Sequence, residues 1–63
     1  MTLGEFLTLE GLTPLDFADK IGVHQEAVKL WVSGKRYPRR ESMRKIIKAT
    51  KGRVQPNDFM AVA

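Results

Sequence analysis

An all-α fold, a compact bundle of about five short helices, is predicted by three features of this 63-residue sequence. Apolar residues recur at helical spacing, Thr or Pro stands where helices would start, and glycines fall where they would stop. Thr2 with Glu5 fits a capping box, and Leu3, Phe6 and Leu7 follow as an apolar face before Gly11 ends the first helix, Leu9 being a further candidate for that face. Thr13 can cap a second helix with Pro14 in its first position and Asp16 near its positive end. Phe17, Ala18 and Ile21 supply its buried side, and Gly22 is available for a left-handed turn. A third helix is expected from about His24 or Gln25 to just before Gly34. Residues about 100° apart place Ala27, Val28 and Trp31 on one side and Gln25, Glu26, Lys29 and Ser33 opposite, with Leu30 on the border. Lys35 to Arg40 reads as a loop marked by Gly34 and Pro38. A fourth helix follows from about Arg40 to Thr50, with Met43, Ile46, Ile47 and Thr50 aligned and Gly52 closing it. Pro56-Asn57-Asp58-Phe59 forms a last short turn whose Phe59 is expected to dock on the core.

A chain of this size is one domain, residues 1–63, near the lower limit at which an apolar core suffices without a staple. Cysteine is absent and histidine occurs once, so disulfides and zinc sites are excluded and no cofactor is expected. The apolar runs are too short for a membrane span or a signal peptide, which points to a cytoplasmic protein. Catalysis is not expected. There is no phosphate-cradling glycine loop, Ser33 and Ser42 have no base in helical register, and Asp16 and Asp19 are accounted for by the start of the second helix.

Charge is distributed unevenly along the chain. Residues 1–28 carry −4 and residues 29–63 carry +8, although the formal total is only +4. Clustered Lys and Arg release counterions when they meet phosphates, so a polyanion is a natural partner for the basic half. The outward side of the third helix has no hydrophobic reason for its composition. A polar helix face running into a basic loop can hold base edges and phosphates together.

The pattern Ala18, Gly22, Val28 and Trp31, followed by Ser33-Gly34-Lys35-Arg36, resembles the helix-turn-helix of the lambda-repressor-like family, which includes phage Cro and repressor proteins and xenobiotic-response-type regulators. Ile46-Ile47-Lys48-Ala49-Thr50 and Val54-Gln55-Pro56-Asn57-Asp58-Phe59 are similar to its usual ending, so nearly the whole chain is covered. The resemblance implies a helix-turn-helix formed by helices 2 and 3, with helix 3 in the major groove of double-stranded DNA and a homodimer on a two-fold operator. It also implies base contacts from Gln25, Glu26 and Lys29, with Leu30 beside them, and phosphate contacts from Lys35, Arg36, Arg39 and Arg40. Three departures from the family pattern involve four positions. Pro14 stands where many members have a phosphate-reaching Gln, His24 stands where Ser or Thr is usual, and Leu30 and Val32 replace residues that are commonly polar.

Each assignment has a chemical basis. Gln25 can pair with adenine through two hydrogen bonds and Lys29 can donate to guanine. Glu26 can accept from cytosine N4, support the helix N-terminus, or repel wrong sites. His24 is read as a cap or a phosphate neighbour. Arg39 and Arg40 sit where the helix dipole disfavours cations, and a phosphate held jointly by helix-end N–H groups and guanidinium groups would offset that. Lys45 and Lys48 point away from the apolar stripe and read as a solvated helix back, and Trp31 reads as core. The expected function is a sequence-specific transcriptional repressor acting as a homodimer. The alternative is an antitoxin-type module with a protein partner, served by the acidic first half, the Leu30/Val32 edge and the Met60-Ala61-Val62-Ala63 tail. RNA or single-strand binding lacks the exposed aromatics it would need, since only Tyr37 is free.

Overall fold

The computed structural model describes residues 1–59, so the tail from Met60 to Ala63, one surface expected to serve a protein partner, lies outside the described residues. Four α-helices form, α1 (Leu3–Glu10), α2 (Pro14–Ile21), α3 (Gln25–Ser33) and α4 (Arg40–Ala49), and no strand occurs among the described residues. The count of about five helices is thus corrected to four, and the last short turn, Pro56–Phe59, is a single 3₁₀ turn. Four residues cannot complete more than one turn. Pro56 lacks an N–H, and Asp58 turns its carboxylate back onto the Gln55 N–H at 2.7 Å, which holds the segment as a tight turn.

Local chemistry fixes the helix boundaries. In α1 the Glu5 N–H donates to Thr2 Oγ1 and the Thr2 N–H donates to Glu5 Oε1, at 3.1 and 2.8 Å. The same reciprocal pair joins Thr13 and Asp16 at the start of α2, at 3.0 and 3.1 Å. At the other end of α2, Gly22 takes φ 76° and ψ 40°, and the N–H groups of Gly22 and Val23 both donate to the Ala18 carbonyl. A Cβ on Gly22 would meet nothing within 4 Å, so glycine is required there by backbone handedness and not by crowding. α4 ends differently from the sequence expectation. Lys51, not Gly52, is the first left-handed residue, at φ 54°, and the Gly52 N–H then reaches back to the Ile47 carbonyl at 2.9 Å.

The core is built from all four helices and the segment after α4. Phe17, Ala18, Val28, Ile46 and Val54 are wholly buried, and Leu3, Phe6, Leu7, Ile21 and Trp31 complete the cluster. α2 packs most extensively on α3, while α4 lies against α2 and α1 against α3. Phe6 meets Phe17 edge to face at 6.2 Å, a favoured aromatic geometry. Phe59 packs half-buried against the core, as expected, and its ring meets Tyr37 edge to face at 6.2 Å. Leu9 does not join this face. It is 63% exposed, because it falls more than about 100° around α1 from the Leu3, Phe6, Leu7 stripe.

Thr50 is the one buried polar residue among the described residues. Its hydroxyl accepts the buried Val54 N–H at 3.2 Å and donates to the Ile47 carbonyl at 3.4 Å, tying the end of α4 to the segment that inserts Val54. Thr50→Val keeps the shape but orphans a buried amide. Urea unfolding is expected to show a loss of about 1–3 kcal/mol, whereas a neutral result would mean that water replaces the hydroxyl.

The capping carboxylates give the fold a pH dependence. The Thr2 backbone N–H, and then its hydroxyl, hold Glu5 below its ordinary value of 4.5. Thr13 acts in the same way on Asp16, and the Gln55 N–H lowers Asp58 below 3.8. Because the folded values are depressed, this stabilisation is fully present above the ordinary carboxylate range and is lost as pH falls through the lowered values. The melting temperature is therefore expected to fall progressively below about pH 4. The double variant Glu5→Gln, Asp16→Asn, which leaves no titrating carboxylate at either cap, should show a shallower decline in circular dichroism melts across the same window.

Candidate nucleic-acid interface

The turn at Gly22 sets α3 across α2 with Val28 and Trp31 facing inward, and this leaves the opposite side of α3 open. Glu26 and Lys29 are exposed there, whereas Gln25 and Leu30 are half-buried. Lys29 Nζ lies 3.9 Å from Glu26 Oε1, one helical turn away, with both side chains largely in solvent. Such a pair contributes little to stability, about 0.5 kcal/mol at most. It does hold an acceptor and a donor together on one surface. Ser33 is not free on that face, since its hydroxyl donates to the Leu30 carbonyl at 3.1 Å.

The basic loop leaves the end of α3 through a shared acceptor. The N–H groups of Lys35 and Arg36 both donate to the Leu30 carbonyl, at 3.0 and 3.3 Å, which fixes the loop's exit direction. Pro38 is then buried, pinning the loop, while Lys35, Arg36, Arg39 and Arg40 remain exposed. Arg39 is the N-cap of α4 and Arg40 its first residue, as the sequence reading placed them.

The helix starts differ in a way that bears on chemistry. α1 and α2 have complete capping boxes, but neither His24 at α3 nor Arg39 at α4 makes a side-chain cap bond. His24 is therefore corrected as a cap. An imidazole is bulkier than Ser or Asp, and this one makes no hydrogen bond to the N–H groups of the first turn. The N–H groups opening α3 and α4 consequently face outward with no side-chain acceptor, beside exposed cations.

Four of the seven carboxylates are engaged away from this surface, while Glu26 pairs with Lys29 on it and Asp19 and Glu41 make no ion pair among the described residues. Glu5 and Asp16 close capping boxes, Glu10 pairs with Arg53 at 3.4 Å, and Asp58 holds the Gln55 N–H and the N-terminal amine. None of Lys35, Arg36, Arg39 and Arg40 takes part in an ion pair among the described residues. The free charge on this side of the molecule is thus positive, more so than the formal total suggests. The Ser/Thr-x-x-Asp/Glu spacing at Thr13 and Asp16 was the available signal for part of this sequestration. The Arg53–Glu10 pair spans 43 positions and had no local signal.

A family model described as helix-turn-helix matches residues 3–56, from the first helix to the start of the last turn. The chain belongs to the lambda-repressor-like helix-turn-helix family. This is a family of DNA-binding regulators, typically non-enzymatic, and membership implies double-stranded DNA as the partner class. No curated protein and no solved structure matches the chain significantly. Among the described residues, no helix is long and apolar enough to cross a membrane, and no group of His, Cys, Asp and Glu could hold a metal ion.

Proposed function

We propose that this helix-turn-helix protein is a Cro-like transcriptional repressor that binds a two-fold operator as a homodimer. α3 enters the major groove, where Gln25, Glu26, Lys29 and Leu30 meet base edges. His24, Lys35, Arg36, Arg39 and Arg40 hold the phosphates on either side. The observation that carries this reading is the exposed polar face of α3 flanked by uncapped helix starts and unpaired cations. Helix N-termini and arginine forks are natural anion sites, and the α3 side chains include a match for each of three bases. In a dimer the two α3 helices would stand about 34 Å apart, one turn of DNA.

Selection of bound duplexes from a random pool with the purified chain tests this. An enriched inverted repeat with half-sites about 10 base pairs apart, centre to centre, is the expected result. Enrichment of no sequence, or of an unrepeated one, would overturn the operator reading.

A second reading, an antitoxin-type module whose main partner is a protein, draws support from an apolar groove of about 780 Å³ beside Gly4, Thr8, Leu9, Leu12, Pro14 and Val32. Leu9 and Val32 are exposed at its edges. Light scattering on the pure chain separates the two readings. A stable homodimer favours the repressor, and a monomer that dimerises neither alone nor on DNA favours the module.

A further inference from the structure

A second cluster of cations lies away from the α3 face, where α2 and α4 end. Lys20, Lys45, Lys48 and Lys51 surround a cleft of about 490 Å³ that also includes Ile21 and Ala49. None of the four lysines takes part in an ion pair among the described residues. The nearby Glu10 is engaged by Arg53 at 3.4 Å, and Glu41, in i,i+4 register with Lys45, makes no ion pair with it. The rim is cationic and the floor is apolar, with lysine stems adding hydrocarbon to Ile21 and Ala49.

We infer that this cleft docks an acidic peptide segment of a partner protein, with carboxylates on the lysine rim and an apolar side chain on the Ile21–Ala49 floor. Charge complementarity selects an anion, and two observations favour a peptide over a second run of DNA. Lys48 stands eight residues, about 12 Å, past Arg40 along α4, outside a screening length of about 8 Å from phosphates held at the helix start. Finally, an apolar floor gives nothing to a sugar-phosphate strand but accepts a Leu or Ile side chain. The cleft would remain accessible while α3 occupies DNA. The inference concerns a surface separate from the DNA-binding reading and does not depend on it.

Fluorescence anisotropy with the full chain tests it, using a labelled peptide of Glu residues with Leu at every third position, a polyglutamate of equal charge, and a labelled random-sequence duplex. The Glu/Leu peptide is expected to bind more tightly than polyglutamate, and Lys45→Glu with Lys48→Glu should weaken it by about tenfold or more, from loss and reversal of rim charge. Ala49→Glu, which places a charge on the floor, should abolish the preference over polyglutamate. Duplex binding should change less than about twofold in Lys48→Ala with Lys51→Ala. Equal binding of both peptides, retained peptide binding in the charge-reversed variant, or a parallel loss of duplex binding in the alanine variant would each overturn the inference, the last by making the cleft a nucleic-acid surface. Circular dichroism verifies that each variant is folded; the lysines are exposed, and the lysine variants alone decide the test should Ala49→Glu, at a half-buried position packed on the core, fail to fold.

Discussion

Replacing Trp31 with alanine is expected to unfold a large fraction of the protein at room temperature. The indole is 5% exposed and sits in the cluster with Leu3, Phe17 and Val28, on the inward side of α3. Truncating a buried tryptophan costs about 3–5 kcal/mol. A chain of this length has a total stability of roughly 3–9 kcal/mol, so the loss removes a large part of it. The expected signature is a collapse of helical circular dichroism at 222 nm (a wavelength of about the usual helix minimum) and a urea midpoint near or below zero denaturant, with DNA binding lost as a consequence. Trp31→Phe should retain most of the fold, because it keeps much of the buried volume. If Trp31→Ala instead stayed folded and lost only DNA binding, the ring would be a base-stacking group and the inward orientation of this side of α3 would be wrong.

That test bears on how far the sequence alone could go. The boundaries of α1 and α2 were legible because their determinants are local. Thr2 finds Glu5 and Thr13 finds Asp16 three residues away, and a left-handed Gly22 needs no distant partner. The core faces of α2, α3 and α4 were legible because helical period sorts residues before any tertiary contact forms. Where the reading failed, the missing information was geometric or long-range. Leu9 is apolar and close in sequence to the α1 stripe, yet its angle turns it to solvent. Gly52 looked like the helix stop, but the chain had already turned at Lys51, whose side chain gives no sign of a left-handed backbone. Thr50 aligned with the buried stripe, but nothing in its spacing announced that its hydroxyl would receive the Val54 N–H. For the candidate site, periodicity found the outward face of α3 and the basic loop. It could not find the absence of a cap on α3, since His24 has a ring nitrogen that could have served, and only the folded geometry shows that it makes no cap bond.

The second large effect expected is a separation between affinity and sequence preference. In the proposed complex Arg39 and Arg40 contact only phosphates, so Arg39→Ala with Arg40→Ala should weaken every duplex alike. Taking about 1 kcal/mol for each exposed charge-assisted contact, the double change lowers affinity roughly 30-fold per bound subunit. It should also flatten the slope of log affinity against log salt by about 1.8 per subunit, since two fewer counterion-releasing contacts remain. Lys29→Ala should behave in the opposite way. A good base contact discriminates by about 1–3 kcal/mol, so preference at one base pair should fall about 5- to 150-fold. Its salt slope should be nearly unchanged, because a base edge carries no condensed counterion. Glu26 makes the contrast sharper, because its carboxylate lies 3.9 Å from the Lys29 ammonium and steadies it on the reading face. Glu26→Gln removes that charge but keeps the length, and should alter preference at the bases near Lys29 while leaving binding to unrelated duplexes the same or slightly tighter. Anisotropy titrations of the selected operator and a scrambled duplex, at four salt concentrations (about 50 to 200 mM), measure all of these quantities together. Equal loss of preference in the arginine and lysine variants would mean that α3 and the start of α4 do not divide the work in this way. A flattened slope without lost preference in Lys29→Ala would move that residue from the bases to the backbone.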